Sequence, residues 1–451
     1  MVTEKELRDE HVLSLILRFS GPAIAGMLMM SIYNIVDRIF IGHYVGPLGI
    51  AGLAVAFPVM MIKGAIGSLV GWGGASLISI RLGEGNKDEA EKILGNAIIL
   101  IFVLAALASL LTFIFLEPLM RLFGASDRVL PYTIDYMRIV LVGNLFHLMG
   151  VNSLIRAEGS PRTAMITSFI GAGLNIVLDA VFVICWQMGV TGAALATAIS
   201  QFASSCWVMS YYLRGKSLLK LKWQNLRISL HRSLTICSVG MPFFLRTIVH
   251  SLVVILLNNK LRLHGGDLAV SAMGIINSVD SLVMLPLMGL SNGAQPVIGF
   301  NFGAVQTKRV KQTLFYAVAL ATGMAVAVFL LILFFPSVFL RLFTKDAQLI
   351  TLGSRGLQLF LLMIPVLGFQ IIGSNYFQAT GRPGQAIILN LARQAIFLVP
   401  ALLIMPHFLD LDGVWLSQPA ADVLAVLLTA VFIWREIRSL NQKEKAGTSL
   451  A

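Results

Sequence analysis

The side chains best suited to ion binding or proton transfer are the few ionisable groups that interrupt long apolar stretches. In the first half these are Asp37, Arg38, Lys63, Arg138, His147 and Asp179, and in the second half Arg246, His250, Asp280, Arg393 and Asp422. A charged group inside an apolar helix that crosses a membrane is costly and marks an ion or substrate site by default. Asp179 is the clearest example because apolar residues flank it for several positions on both sides.

Three oxygen-bearing side chains are predicted to lie at a similar depth in the outer leaflet. At a rise of about 1.5 Å per residue, Asp37 lies about 8 Å below the outer end of its helix, Asp179 about 12 Å below its own, and Thr197 about 9 Å below the start of the next. Asn175 precedes Asp179 by one helical turn and shares its face. We therefore expect Asp37, Asn175, Asp179 and Thr197 to meet in one cavity.

Such a set of hard oxygen donors suits a small hard cation such as Na⁺. It would equally serve H⁺, because burial and a like-charged neighbour both favour the protonated carboxyl group. The sequence leaves both ions open. For Asp37 and Arg38 there is a simpler interpretation, a position at the outer interface where charged side chains reach water.

The other intramembrane charges have structural interpretations at least as good as functional ones. Arg246 and His250 are one turn apart and could face Asp280 as an ion pair, and Arg393 could bond to Asp422.

Metal and cofactor signals are lacking elsewhere. Lys63 and Arg138 could be paired or line a wet cavity, and His147 has no second histidine at metal-binding spacing. Cys185, Cys206 and Cys237 form no CxxC pattern and predict neither a disulfide framework nor a zinc site. We predict no cofactor, and no metal other than Na⁺ at the oxygen site.

Composition shows what kind of elements must position these groups. The chain has 451 residues, of which 57% are hydrophobic and 12% charged, and a mean hydropathy of +0.84. Such a chain cannot cover itself with polar surface, which excludes a soluble fold. The net charge of +12 is typical of basic cytoplasmic loops and does not predict nucleic-acid binding. Residues 2–11 mix both charges, which argues against a secretory signal and favours a short amphipathic interfacial segment.

Apolar runs of about 20 residues predict an all-α, polytopic membrane protein of twelve transmembrane helices. The predicted spans are 14–41, 53–80, 93–117, 131–156, 162–186, 191–213, 234–261, 271–300, 312–336, 350–378, 384–406 and 413–435. Basic residues concentrate in the even-numbered connections, above all in the central one. The odd-numbered connections hold few, namely Arg121, Arg128, Lys260, Arg262, Arg341, Lys345 and Arg355. Both termini are therefore predicted to be cytoplasmic.

An internal repeat with an offset of 220 residues divides the chain. Pro22 matches Pro242, and the triplet 121–123, Arg-Leu-Phe, recurs at 341–343. Each half has an even number of spans, so the halves are predicted to be two parallel six-helix repeats. The predicted domains are an N-terminal bundle, a basic cytoplasmic linker, a C-terminal bundle and a cytoplasmic tail, at 1–213, 214–233, 234–436 and 437–451.

Several motifs together resemble the MATE (multidrug and toxic compound extrusion) family over nearly the whole chain. They are residues 33–37 (YNIVD), 81–86 (RLGEGN) with its partner 301–304 (NFGA), and 157–159 (AEG) with 379–381 (ATG). The chain looks closest to the prokaryotic DinF-like and MepA-like branch.

That resemblance implies a cation site in the N-terminal bundle at Asp37, Asn175, Asp179 and Thr197, with Tyr33 beside it. Pro22 matches the family's proline in span 1, where it can kink the helix that carries Asp37; the alternative is a proline tolerated near a helix start. Spans 7 and 10 contain no Asp or Glu, which argues against a coupling site in the C-terminal bundle.

The function expected from the resemblance is a secondary antiporter in the prokaryotic plasma (inner) membrane. It exports amphipathic, mostly cationic, drug-like compounds in exchange for H⁺ or Na⁺ by alternating access of two bundles, and works as a monomer in contact with membrane lipid. An alternative within the superfamily is a flippase for lipid-linked precursors, which Arg138, Arg246 and Arg393 keep open. A membrane enzyme and direct ATP coupling are not expected, because no nucleophile-base motif or phosphate-binding loop is found. For a channel, the sign would be ion flux without a coupled gradient.

Overall fold

The computed structural model describes residues 4–45, 47–123, 125–145, 150–215, 217–343 and 346–446. Within these residues all regular structure is helical, which confirms the predicted all-α class. His147 lies outside the described residues, as does the side chain of Arg38.

The first half begins with a short helix, α1, and continues with longer ones. Their bounds are α1 Glu4–Asp9, α2 Val12–Tyr44, α3 Pro47–Gly83, α4 Lys87–Ile114, α5 Leu116–Leu122, α6 Leu130–Leu145, α7 Val151–Ala157, α8 Pro161–Asp179 and α9 Gly189–Leu213. A π-helical turn, Ala180–Cys185, follows α8 directly.

The second half is also helical, and its first helix, α10, contains two spans joined end to end. The bounds are α10 Leu230–Gly303, α11 Thr307–Phe334, α12 Pro336–Arg341, α13 Ala347–Phe360, α14 Ile364–Ala379, α15 Pro383–Leu391, α16 Val399–Ile404 and α17 Pro406–Ala446. A second π-helical turn, Ala392–Leu398, lies between α15 and α16. Gly266, with φ 65°, breaks α10 into two spans, and Asp410, with φ 47°, breaks α17 near its start.

As far as their residues are described, all twelve predicted spans fall on helices. Nine helical stretches among the described residues are long and apolar enough to cross a membrane, and α13 with α14, bent by 47°, would make a tenth. The two other predicted spans correspond to α6 with α7, between which residues 146–149 lie outside the description, and to α9. The chain is therefore a polytopic membrane protein.

Contacts between helices group the chain into two compact units. The first unit contains Gly21–Gly240, and the second contains Lys5–Ser20 together with Met241–Ala451. The chain therefore passes between units at Gly21 and again at Met241, two positions related by the 220-residue repeat. Each crossing immediately precedes a proline, Pro22 or Pro242. The predicted domain boundaries, which place the division in the linker, stay a prediction.

The basic linker lies against the first unit through buried or half-buried carboxylates. Arg232 pairs with Glu89 at 2.8 Å and Lys222 with Glu91 at 2.6 Å. The linker hydroxyl of Ser217 donates to Glu158 at 2.5 Å. Opposite charges thus hold this segment in place rather than leaving it a free tether.

Candidate functional site

Two buried carboxyl groups of the first unit are in contact. Asp37 on α2 is 7% exposed and Asp179, the last residue of α8, is fully buried. Their side chains lie within hydrogen-bonding reach of each other. One oxygen of Asp179, Oδ1, has no hydrogen-bond donor among the described residues. A hydrogen bond between two carboxyl groups needs a proton on one of them, so this pair is a place where a cation can be held.

Asn175 and Thr197 complete the predicted set. With its amide oriented to satisfy both neighbours, Asn175 donates from Nδ2 to Asp179 Oδ2 at 3.0 Å and accepts from the Thr197 backbone N–H at 3.2 Å. Both residues are buried. The structure thus brings together the four residues Asp37, Asn175, Asp179 and Thr197, and whether they bind a coupling ion stays a prediction.

Local helix geometry explains how Asp179 is placed. Directly after it the helix widens, and the Trp186 N–H bonds to the Val181 carbonyl at 2.9 Å, five residues back. Such π-helical turns occur often at functional sites. On α9, the fully buried alanines Ala193, Ala194 and Ala196 precede Thr197, and small residues of this kind let neighbouring helices approach closely.

Two tyrosines border the carboxyl pair. Tyr33 lies one turn before Asp37 on α2, and its phenol is close enough to interact with both Asp37 and Asp179. Tyr136 on α6 is 3% exposed and hydrogen-bonds to Thr197. Tyr136 is not among the site residues predicted from the sequence, because a tyrosine carries no charge at neutral pH that would mark it within an apolar span. A usable signal was present, since a phenol in an apolar span needs a polar partner.

An open cleft of about 90 Å³ adjoins this site within the first unit. Its walls are methionine, tyrosine, small residues, hydroxyls and amides, namely Met30, Tyr33, Asn152, Thr167, Ser168, Gly171, Ala172, Asn175, Thr197, Ser200, Gln201 and Ser204. Tyr33, Asn175 and Thr197 belong both to this cleft and to the surroundings of the carboxyl pair.

Pro22 lies apart from the site. It is in the early part of α2, which continues through it from Val12 to Tyr44. It follows the crossing between units rather than lying beside Asp37. Its predicted part in bending the helix stays a prediction.

Several of the other charged residues in the predicted spans contact a neutral or a charged partner. Lys63 donates to the Ser109 hydroxyl at 2.9 Å. Arg393 Nε pairs with Asp422 Oδ1 at 2.7 Å, which confirms the predicted bond. Among the described residues, however, no ion pair joins Arg246 or His250 to Asp280. Asp280 instead lies in the field of Arg393 and Asp422.

A duplicated set of membrane-spanning helices, with a buried polar site and an open cleft in one unit, defines a polytopic membrane transporter. The MatE family model matches residues 22–181 and again residues 242–403, two ranges that begin 220 residues apart. The chain belongs to the MatE family. Proteins of this family are transporters, so the chain is a transporter and not an enzyme.

Individual relatives match over almost their full lengths. The multidrug export protein MepA of Staphylococcus haemolyticus (strain JCSC1435) is 27% identical over 442 residues, covering 97% of each chain. The MATE multidrug transporter DinF-BH, whose structure is solved, is 38% identical, with a TM-score of 0.86 over 94% of this chain and 95% of that one. A MATE structure in complex with MaL6 is 25% identical, with a TM-score of 0.91 over 98% of this chain and 100% of that one.

Proposed function

We propose that the chain is a secondary active antiporter that exports amphipathic, mostly cationic, organic compounds in exchange for an inward-moving cation. The names of its relatives support export of drug-like compounds, since MepA is a multidrug export protein and DinF-BH a multidrug transporter. The cleft in the first unit supports it as well, because methionine and tyrosine offer adaptable apolar contact while hydroxyls and amides offer hydrogen bonds.

The observation that carries the proposal is the contact between the Asp37 and Asp179 carboxyl groups. Two negative charges cannot lie together in a buried place without a compensating cation. The pair therefore takes up a positive ion when it is shielded from water and can release it when exposed. That change in charge is what a coupling site needs.

We favour H⁺ over Na⁺ as the coupling ion. In the orientation that satisfies its neighbours, Asn175 presents its amide nitrogen to Asp179 and turns its oxygen toward the Thr197 N–H. An amide nitrogen is a donor and does not ligate Na⁺, whereas it stabilises a carboxylate that shares a proton with its neighbour. Binding of Na⁺ would require the Asn175 amide to turn around.

Coupling follows if the cation and the exported compound cannot occupy the first unit together. Tyr33, Asn175 and Thr197 border both the carboxyl pair and the cleft. A compound that binds to these residues lowers the affinity of the carboxyl pair for the cation. A cation bound at the pair lowers the affinity of the cleft for the compound. By linkage, each ligand lowers the affinity for the other to the same degree.

The cellular setting is part of the same proposal. We expect a bacterial plasma membrane, both termini in the cytoplasm, lipid around a monomer, and alternating access through movement of the two units about Gly21 and Met241. The flippase for lipid-linked precursors gains no support from the relatives found and is not proposed.

The test is efflux from liposomes that contain the purified protein. Rhodamine 6G, a fluorescent cation, is loaded, and its export is measured under a pH gradient and, separately, under a Na⁺ gradient. Asp37→Asn and Asp179→Asn should each reduce gradient-driven export to the level of empty liposomes. Asp135→Asn is the matched control, because this carboxylate is on α6 of the same unit but is exposed.

Export by both variants at the wild-type rate would refute the coupling site. Export driven by the Na⁺ gradient alone would show that the coupling ion is Na⁺ and not H⁺. If neither gradient drives export in the wild type, the antiport mechanism is wrong.

A further inference from the structure

The linker between α9 and α10 lies against α4 at the level where that helix is predicted to enter the membrane. A Cβ added to Gly95, the third residue of the predicted span 93–117, would lie 2.4 Å from the Asn225 carbonyl oxygen. The neighbouring Asn96 amide donates to the Arg227 carbonyl at 3.1 Å. The linker backbone is therefore packed on the first turns of α4, which places its exposed side chains at the depth of the lipid headgroups.

Large apolar side chains are exposed along this linker. Trp223 begins a short 3₁₀ turn and is 87% exposed. Ile228 is exposed as well, and so are Leu230 and Leu234, which share a face at the start of α10. Tryptophan is enriched at membrane–water interfaces, where its ring lies among the headgroups and its N–H can still find a polar partner. The exposed side of the linker is therefore suited to contact with lipid.

The same segment carries positive charge that no carboxylate of its own balances. Residues 214–233 contain six lysines and arginines and no aspartate or glutamate. Two of the six, Lys222 and Arg232, pair with carboxylates of α4. Three exposed basic side chains form no ion pair with any residue that the structure describes, namely Arg214, Lys220 and Arg227.

An acidic phospholipid complements both properties of this surface. Its headgroup supplies the negative charge that the three basic side chains lack, and each lysine or arginine near an anionic lipid surface adds to the attraction. Its acyl chains cover the apolar side chains around Trp223. A soluble anion would leave those apolar groups in water, and a zwitterionic lipid would leave the positive charge unbalanced.

We propose that the exposed side of the linker is a binding surface for acidic phospholipid headgroups. Arg214, Lys220 and Arg227 supply its positive charge, and Trp223 lies at the boundary between headgroups and acyl chains. Bound lipid then holds the outer side of the linker at the membrane surface, while the carboxylates of α4 hold its inner side. The surface requires no particular transported ion or compound, so it can be tested without measuring export.

The test measures lipid binding to purified protein in detergent by native mass spectrometry. Dioleoyl phosphatidylglycerol is added at a series of concentrations, and the fraction of protein that retains lipid is recorded. Lys220→Gln combined with Arg227→Gln should weaken retention about tenfold or more, because each basic residue at an acidic lipid surface contributes about fivefold. Dioleoyl phosphatidylcholine should bind the wild type more weakly, and glycerol phosphate, which has no acyl chains, should not displace the lipid.

The matched control removes two positive charges from the second unit. Lys308 at the start of α11 and Arg435 on α17 are both exposed. Lys308→Gln combined with Arg435→Gln should leave phosphatidylglycerol retention within about twofold of the wild type, since the binding surface is unchanged. Equal unfolding midpoints of the wild type and both double variants without added lipid show that all three are folded.

A second measurement tests the position of Trp223. The fluorescence that is lost in Trp223→Phe belongs to this residue. In nanodiscs that contain phosphatidylglycerol, the water-soluble quencher acrylamide should quench that fluorescence about twofold less than it quenches free tryptophan, because an interfacial ring is partly withdrawn from water.

Four results would each overturn the inference. They are equal losses of phosphatidylglycerol binding in the two double variants, equal binding of phosphatidylglycerol and phosphatidylcholine by the wild type, displacement of the lipid by glycerol phosphate, and quenching of the Trp223 fluorescence as complete as that of free tryptophan. Displacement by glycerol phosphate would show that the surface binds a soluble anion instead.

Discussion

Ser20 and Gly293 pack so closely that a Cβ added to the glycine would lie 2.5 Å from the Ser20 Cα atom. The Ser20 hydroxyl also donates to the Leu290 carbonyl at 3.3 Å. The repeat reproduces this contact in the first unit, where a Cβ on Gly73 would lie 1.9 Å from the Ile236 carbonyl oxygen. Gly73 and Gly293 are 220 residues apart. In each unit, the second span therefore packs against the helical segment that lies just before the chain crosses to the other unit, at Gly21 or at Met241.

Replacing either glycine should loosen that attachment. For Gly73→Ala and Gly293→Ala the added methyl group meets backbone atoms, which cannot move aside, so we expect a loss of about 1–3 kcal/mol or more. The measurement is the thermal unfolding midpoint of purified protein in detergent. Gly274→Ala is the control, since this helical glycine has nothing within 4 Å of the added Cβ. There alanine should be neutral or stabilising. Equal midpoints for all three variants would contradict the close packing.

Tyr136 should support the coupling site without being essential to it. Tyr136→Phe removes the hydroxyl that bonds to Thr197 and keeps the ring, so we expect gradient-driven export to fall about tenfold, as for one lost hydrogen bond of about 1.4 kcal/mol. Tyr132→Phe is the control on the same helix. Tyr132 packs against an apolar cluster that includes Tyr136 and Met137. A Tyr136→Phe variant as active as Tyr132→Phe would remove the residue from the site.

The carboxyl site is predictable from the sequence because the rise of a helix converts position in the chain into depth. That conversion alone places Asp37, Asp179 and Thr197 at a similar depth. Rotation about the helix axis cannot be read in the same way. The chain pattern therefore suggested Asp280 for Arg246, whereas Asp280 lies by Arg393 in the structure.

Uncharged residues and long-range contacts are harder to predict from the sequence than the charged site. Tyr136 carries no charge that would mark it, and its bond to Thr197 joins α6 to α9, whose relative rotation no local pattern reveals. The exchange of Lys5–Ser20 into the second unit depends on contacts between segments about 270 residues apart, such as Ser20 with Leu290. The glycine repeat hinted at close packing but not at its partner.

Glu158 should make stability depend on pH. It lies in the loop between α7 and α8 and is fully buried. Burial raises the pKa of its carboxyl group from 4.5 to about 7, although hydrogen bonds from Ser217, Tyr211 and the Leu219 N–H oppose the rise. The folded protein then holds a proton that the unfolded chain releases above pH 4.5. The stabilisation is complete below that pH and is lost as the pH rises through about 7, by about 3 kcal/mol at most.

The measurement for Glu158 is the difference in unfolding midpoint between the wild type and Glu158→Gln at several values of pH from 4.5 to 8. The glutamine cannot titrate, so the wild type should lose stability relative to it across that interval and no further above it. A difference that is independent of pH would show that Glu158 does not bind the proton in the folded state.

Glu91 should protect the basic linker from proteolysis by keeping it attached to the first unit. It is nearly buried, accepts from the Lys220 N–H at 3.1 Å and pairs with the Lys222 ammonium at 2.6 Å. Glu91→Gln keeps the size of the side chain but removes the charge that attracts Lys222. Trypsin, which cuts after lysine and arginine, should then cleave between 214 and 233 several times faster, because cleavage requires the segment to detach. Glu84→Gln is the control, since Glu84 pairs with Arg81 away from the linker. Equal cleavage rates in the two variants would show that Lys222 and the linker are held by other contacts.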